Sequence, residues 1–242
     1  MPANRPTPAA RPRSSKSSDG TGKQKALAAG APNPANAAEA PGRGLLLIAL
    51  VFLGGMSSLA VEMTAARLLA PFFGDSQFVW ASLIGLTLVY LTLGYYLGGK
   101  LADHAPYPLA LYRLTAAAAA TIGLIPLFAS GILGWAAQTF ARSDSDISAG
   151  PLVAVLLLFS LPVILLGCVS PFAIRLRVKA VGSAGSTAGW LYALSTVGSI
   201  LGTFVPVFWL MPTYGVRATI FIFASLLMAI SAAGLIAQGR YL

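Results

Sequence analysis

Charged residues are scarce in this chain, and acidic residues are the scarcest of them. Only 10% of the 242 residues are charged, whereas a soluble domain carries about a quarter, and 57% are hydrophobic. This balance excludes an ordinary soluble domain. It indicates a protein that crosses a membrane several times, with the lipid bilayer as its surroundings.

Cysteine and histidine are almost absent, with Cys168 and His104 the single examples. One of each can form neither an internal disulfide nor a Cys/His metal site. We find no glycine-rich nucleotide loop and no Ser-His-Asp set, and Glu62 has no second carboxylate or histidine within helical reach. The sequence therefore predicts no catalytic residue, no metal and no cofactor in this chain.

Basic residues outnumber acidic ones by 16 to 7, which gives a net charge of +9. Seven of the sixteen lie in the first 43 residues, and most of the others flank apolar segments. This distribution is typical of residues that set membrane topology, so we do not expect a nucleic-acid partner. Residues 1–43 contain few large apolar side chains and are predicted to be a disordered cytosolic tail.

Six apolar segments follow the tail, each long enough for the roughly 20 residues of a membrane-spanning helix. Because backbone polar groups in lipid must bond internally, each is predicted to be a helix, and the fold class is all-α. Residues 44–237 form this domain and residues 238–242 a short cytosolic end. The predicted spans are 44–70, 78–101, 108–134, 151–174, 188–211 and 215–237.

The loops predict the orientation of these spans. Lys100, Arg113, Arg175 and Arg177 fall on the same side as the basic tail. By the positive-inside rule this side is cytosolic, and both termini lie there. We therefore expect a multi-pass protein of the inner (plasma) membrane.

Glu62 and Arg67 interrupt the first apolar segment. A carboxylate at membrane depth costs a few kcal/mol, so Glu62 is expected to face the protein interior or a water-filled cavity. One interpretation is a solute site. The other is structural, with Glu62 pinning neighbouring helices and Arg67 anchored among the headgroups. The two are five residues apart and do not share a helix face, which disfavours direct pairing.

Hydroxyl groups recur at helical spacing in the fifth segment. Ser195, Ser199 and Thr203 are four residues apart and lie on one helix face. With Tyr90 or Tyr95 of the second segment they could complete a polar cavity for a cation. Hydrogen bonds between helices, without any solute, explain the same pattern. Gly94 with Gly98 and Gly198 with Gly202 predict close helix contacts.

Several motifs together resemble the membrane half of the fused major-facilitator/spermidine-synthase-like proteins. They occur in that family's order across most of residues 44–237. Ser195 stands where many relatives have asparagine. The matching residues are Glu62, Arg67, Gly74, the segment Gly94-Tyr-Tyr-Leu-Gly-Gly-Lys-Leu-Ala-Asp103, Pro162, Gly167, Pro171, and the segment Gly189-Trp-Leu-Tyr-Ala-Leu-Ser-Thr-Val-Gly-Ser-Ile-Leu-Gly202.

The resemblance implies six helices arranged as in half of a major-facilitator bundle. It also makes Lys100 and Asp103 candidates for a cytosolic gate, although three-residue spacing equally allows them to pair or to cap a helix end. In the fused relatives a soluble aminopropyltransferase-like domain follows the last span. Nothing in this sequence supplies that domain, so we expect a separate synthase-like subunit.

The sequence is compatible with three functions. The first is a membrane module that anchors or feeds such a subunit. The second is a small transporter of a polyamine-like cation, working alone or as a homodimer, with Glu62 neutralising the amine. The third is a structural subunit of a larger membrane complex.

Internal similarity between the two halves is weak, the best match being Ala70-Pro-Phe72 with Ser170-Pro-Phe172.

Overall fold

The computed structural model describes residues 41–141, 149–178 and 181–239, and these residues are helical with short connections. The disorder predicted for residues 1–43 concerns residues that lie almost wholly outside this part. The helices are α1 Pro41–Phe73, α2 Gln77–His104, α3 Pro108–Ala141, α4 Ala149–Gly167, α5 Val169–Arg177, α6 Ala184–Val205, α7 Met211–Tyr214 and α8 Val216–Gly239.

Six helical stretches are long and apolar enough to cross a membrane, which confirms the all-α fold class and the six spans. We call them the first to the sixth span. Most extend beyond the predicted limits, because a helix continues to form its own hydrogen bonds where it leaves the apolar layer. Their bounds are Gly44–Phe73, Gln77–His104, Pro108–Phe140, Ala149–Arg177, Ala184–Tyr214 and Val216–Gln238.

Local interactions explain where the first span ends and where the second span begins. Gly74 follows the first span with a positive φ of 74°, a conformation that glycine adopts without steric cost. The Ser76 hydroxyl accepts a hydrogen bond from the Val79 amide at 3.3 Å and so caps the second span. The indole N–H of Trp80 donates to the Asp75 carboxylate at 2.6 Å, which fixes the short connection further.

Some prolines in the spans interrupt the regular helix and others do not. The helix runs without interruption through Pro126 and Pro162. The fourth span instead breaks at Cys168, between α4 and α5, and the fifth span changes from α to π geometry at Pro206. Pro171 has no N–H to donate to the Gly167 carbonyl, which accounts for the break.

The spans pair in a pattern that has internal two-fold symmetry. The first span packs most extensively on the fifth, and the second packs most extensively on the fourth. The third span lies against the fourth as the sixth lies against the first, and the third and sixth contact each other. Exchanging spans one, two and three for spans four, five and six leaves this pattern unchanged. This set of contacts is the one expected of two three-span repeats, with the second inverted because the number of spans is odd, and we call the two halves repeats on that ground.

Glycine contacts give the register of the two repeats. A Cβ added to Gly198 or Gly202 would meet the carbonyl oxygen of Phe52 or of Met56, respectively, in the first span. A Cβ added to Gly94 or Gly98 would meet the carbonyl oxygen of Ile164 or of Cys168, respectively, in the fourth. The predicted close contacts at both glycine pairs are confirmed. Met56 is equivalent to Cys168, and Gly202 to Gly98.

This register differs from the sequence match between Ala70-Pro-Phe72 and Ser170-Pro-Phe172. In this register Gly167 is equivalent to Gly55, and Ser170 is equivalent to Ser58. Each serine follows its glycine by three residues, about one helical turn. The repeats therefore share a Gly-x-x-Ser pattern in their first helices and a Gly-x-x-Leu-Gly pattern in their second. Both patterns lie where the helices approach most closely.

Candidate functional site

A cleft of about 90 Å³ lies where the first, second, fourth and fifth spans meet. The first and fourth spans form its floor, and the second and fifth spans are its walls. Its polar lining comes from all four spans, because each turns its small or hydroxyl-bearing face to the same point. The polar side chains are Ser58, Tyr95, Ser170, Ser195 and Ser199, and the glycines are Gly54, Gly55 and Gly167.

The internal symmetry passes through this cleft. Ser58 of the first span corresponds to Ser170 of the fourth, and Tyr95 of the second corresponds to Ser199 of the fifth. The equivalent positions of both repeats thus line one cavity. Sites at the interface of inverted repeats, near the bilayer midplane, are a recurring feature of secondary transporters.

The hydroxyls of the fifth span differ in what they bond. Ser199 donates to the Gly55 carbonyl at 3.1 Å and so joins the fifth span to the first. Thr203 donates to the Ser199 carbonyl at 3.0 Å, within its own helix. The Ser199 bond therefore holds two helices together, as the structural interpretation predicted, whereas the Thr203 bond stays within one helix.

Other hydroxyls in the cleft have no such role. Ser58, Ser170 and Ser195 make no side-chain hydrogen bond within the described part of the chain, and all three are only partly buried. The Ser195 side chain lies against Gly55. A Cβ built on Gly55 would come within 2.6 Å of the Ser195 Oγ. These hydroxyls remain available to water or to a solute, because the cleft is the space into which they open.

Glu62 lies beside the cleft and does not line it. It follows Ser58 by four residues, so it shares that face of the first span and sits about 6 Å further along the helix axis. Its side chain is half-buried, and no hydrogen bond or ion pair joins it to the described residues. Its equivalent in the second repeat is Ile174, so the carboxylate breaks the symmetry of the site.

Two other candidate residues lie elsewhere. Arg67 is exposed and does not pair with Glu62, as the five-residue spacing predicted. Tyr90 is 5% exposed, and its hydroxyl has no partner among the described residues. Neither residue is part of the cleft lining. Of the six substrate-site candidates, the cleft brings together Tyr95, Ser195 and Ser199.

The charged ends of the second and fourth spans are joined by an ion pair. The Arg175 Nε donates to Asp103 Oδ1 at 3.0 Å, and both side chains are exposed. The Lys100 ammonium lies instead over the Tyr96 ring, 4.5 Å from its centre. Of the alternatives for Lys100 and Asp103, their direct pairing is not formed: Asp103 pairs with Arg175 on another helix. An exposed pair of this kind stabilises a protein by less than about 1 kcal/mol.

Sequence reasoning missed Ser58 and Ser170 as site residues. The available signal was the Gly-x-x-Ser pattern that opens at Gly55 and again at Gly167. Comparisons with protein-family models, with curated proteins and with solved structures found no match to this chain.

Proposed function

We propose that this protein is the integral membrane module of a spermidine-synthase-like system, and that it binds an amine solute and feeds it to a separate soluble subunit. The cleft carries the solute-binding part of the proposal, since its free hydroxyls lie between four apolar spans. Support for the synthase comes from the sequence motifs around Glu62, Gly94 and Gly189.

The chemistry of the cleft suits a primary ammonium group. Such a group donates up to three hydrogen bonds and accepts none. The hydroxyls of Ser58, Ser170 and Ser195 are acceptors without protein donors, and Pro171 leaves the Gly167 carbonyl without its usual helical donor. A volume of about 90 Å³ has room for the ammonium end of an alkylamine and a few methylene groups.

Glu62 supplies the opposite charge that a cation needs at this depth. An ammonium ion in a bundle of low polarity is strongly disfavoured unless a counter-ion lies near it. Glu62 lies one helical turn from Ser58 on the same face. None of the described Lys or Arg side chains forms an ion pair with its carboxylate. In this proposal the carboxylate neutralises the bound amine, and the serines orient it.

The same proposal sets the location of the module. It lies in the inner (plasma) membrane with both termini in the cytosol, because Lys100, Arg113, Arg175 and Arg177 share one side. The ends that carry the Asp103–Arg175 pair then face the cytosol. A soluble subunit that receives the amine would dock on this side.

Binding of labelled spermidine tests the proposal. We expect the wild-type protein in lipid nanodiscs to bind spermidine saturably, and unlabelled spermidine to displace the label. An alkyl diol of equal length carries no charge and should not compete. Binding that does not saturate, or that the diol displaces equally well, would show that the cleft does not recognise an amine.

A second candidate is a transporter that works without a synthase, and the inverted repeat favours it. Copurification from mild detergent separates the two functions. The first proposal predicts that the tagged chain recovers a synthase-like subunit in constant ratio. Repeated recovery of the chain alone, together with spermidine uptake by proteoliposomes, would favour the transporter.

A further inference from the structure

The cleft is open on the side away from its floor. The second and fifth spans form its walls but make no extensive contact with each other within the described helices. The fifth span is the least covered in the bundle. Only 17% of its most apolar window is buried, whereas the fourth span reaches 56%. One side of the polar cleft thus faces away from the protein.

Polar groups on this open side lie inside the apolar layer of a membrane. Tyr95 is 49% exposed and Tyr192 is 53% exposed. A rise of 1.5 Å per residue puts Tyr95 about 7 Å and Tyr192 about 10 Å from the middle of their spans, within the roughly 15 Å of each hydrocarbon leaflet. Lipid tails offer no hydrogen-bond partner to their phenols or to the cleft serines. A cover that can hydrogen-bond is therefore favoured over lipid.

The open face is complementary to itself. The second-span wall presents the bulky phenol of Tyr95. The fifth-span wall presents the small hydroxyls of Ser195 and Ser199, with Tyr192 one turn nearer the charged end of that span. A two-fold axis along the membrane normal sets the second span of one copy against the fifth span of the other. Tyr95 and Ser195 lie at matching depths, about 7 and 6 Å from mid-span and on the side of the charged ends.

We propose that two copies of this chain associate through these open faces, so that the two clefts become one enclosed cavity. Each copy contributes Tyr95 to the serine wall of its partner, and the site is incomplete in a single copy. Both copies insert in the same direction because their basic residues are the same, which is the condition for this two-fold axis. The inference rests on the geometry of the open face and not on the identity of the solute.

Disulfide cross-linking between differently tagged copies tests this arrangement. One tagged chain carries Tyr95→Cys and the other Ser195→Cys, both with Cys168→Ser so that no native thiol remains. After co-expression and mild oxidation in native membranes, we expect a covalent dimer that carries both tags. A link within one chain does not join the tags, so it cannot produce this species.

The matched control uses two residues exposed on other faces. Leu127 belongs to the third span and Leu226 to the sixth, and both are exposed. Leu127→Cys with Leu226→Cys should give little doubly tagged product. Equal cross-linking of both pairs would indicate random collision. The dimer would be overturned if Tyr95→Cys and Ser195→Cys gave no doubly tagged product, or if native mass measurement found a single copy in each nanodisc. Neither result bears on amine binding, which has its own test.

Discussion

Replacing Gly202 or Gly98 with alanine should destabilise the bundle by about 1–3 kcal/mol, the usual cost of overpacking a well-packed interior. A methyl group at Gly202 would run into the Met56 carbonyl oxygen, and one at Gly98 would meet Cys168 Cα at 2.5 Å. Both obstacles are backbone atoms, which cannot rotate away as a side chain does. The spans would have to separate, and the cleft between them would lose its shape.

Two glycines on the same helices are the controls. Gly99 and Gly189 have no neighbour within 4 Å of an added Cβ, so alanine fits there. Alanine also favours helix over glycine by up to about 1 kcal/mol, so these variants should be as stable as the wild type or slightly more stable. Thermal unfolding in detergent measures all four. If Gly202→Ala melts at the same temperature as Gly189→Ala, the close approach of the first and fifth spans is wrong.

Cysteine at Ser58 or Ser195 should react with a charged, water-soluble thiosulfonate, on the order of tenfold faster than cysteine on the lipid-facing side, because the reactive species is the hydrated thiolate. Ser58 and Ser195 line the cleft, whereas Leu157 is an exposed apolar residue of the fourth span outside it. Each substitution is made with Cys168→Ser, which removes the native thiol.

The comparison between these positions is decisive because all three lie within membrane-spanning helices. Length and apolarity alone predict that none of them reacts. Fast reaction at Ser58→Cys and Ser195→Cys, with a slow Leu157→Cys, would establish a hydrated cleft. Equal and slow reaction at all three would mean that the serines serve packing alone.

Local properties made much of the fold predictable. The six spans follow from apolar length, and the contacts at Gly98 and Gly202 follow from small residues one turn apart. The four-residue spacing of Ser195 and Ser199 predicts that they share a helix face, and Tyr95 is predicted as a polar residue within the second apolar segment. Each of these signals lies within a single helix.

The rest depends on which helices meet, and spacing within one helix does not contain that information. Asp103 bonds Arg175, 72 residues away, and not its neighbour Lys100. Ser58 and Ser170 become site residues only because the first span crosses the fourth between the two walls. Tyr90 has the same residue type as Tyr95, but it lies at a different angle on the helix and is buried away from the cleft.

The account depends most on the recognition of a cation between the cleft serines and Glu62. Spermidine binding to nanodisc-embedded wild type, Glu62→Asp and Glu62→Gln protein tests it most directly. Removing the charge should weaken binding by at least about tenfold, since a hydrogen bond to a charged group contributes about 1.5–3 kcal/mol. Glu62→Asp, which keeps the charge, should bind more tightly than Glu62→Gln. Unchanged affinity in Glu62→Gln would contradict the assignment of the carboxylate to the solute.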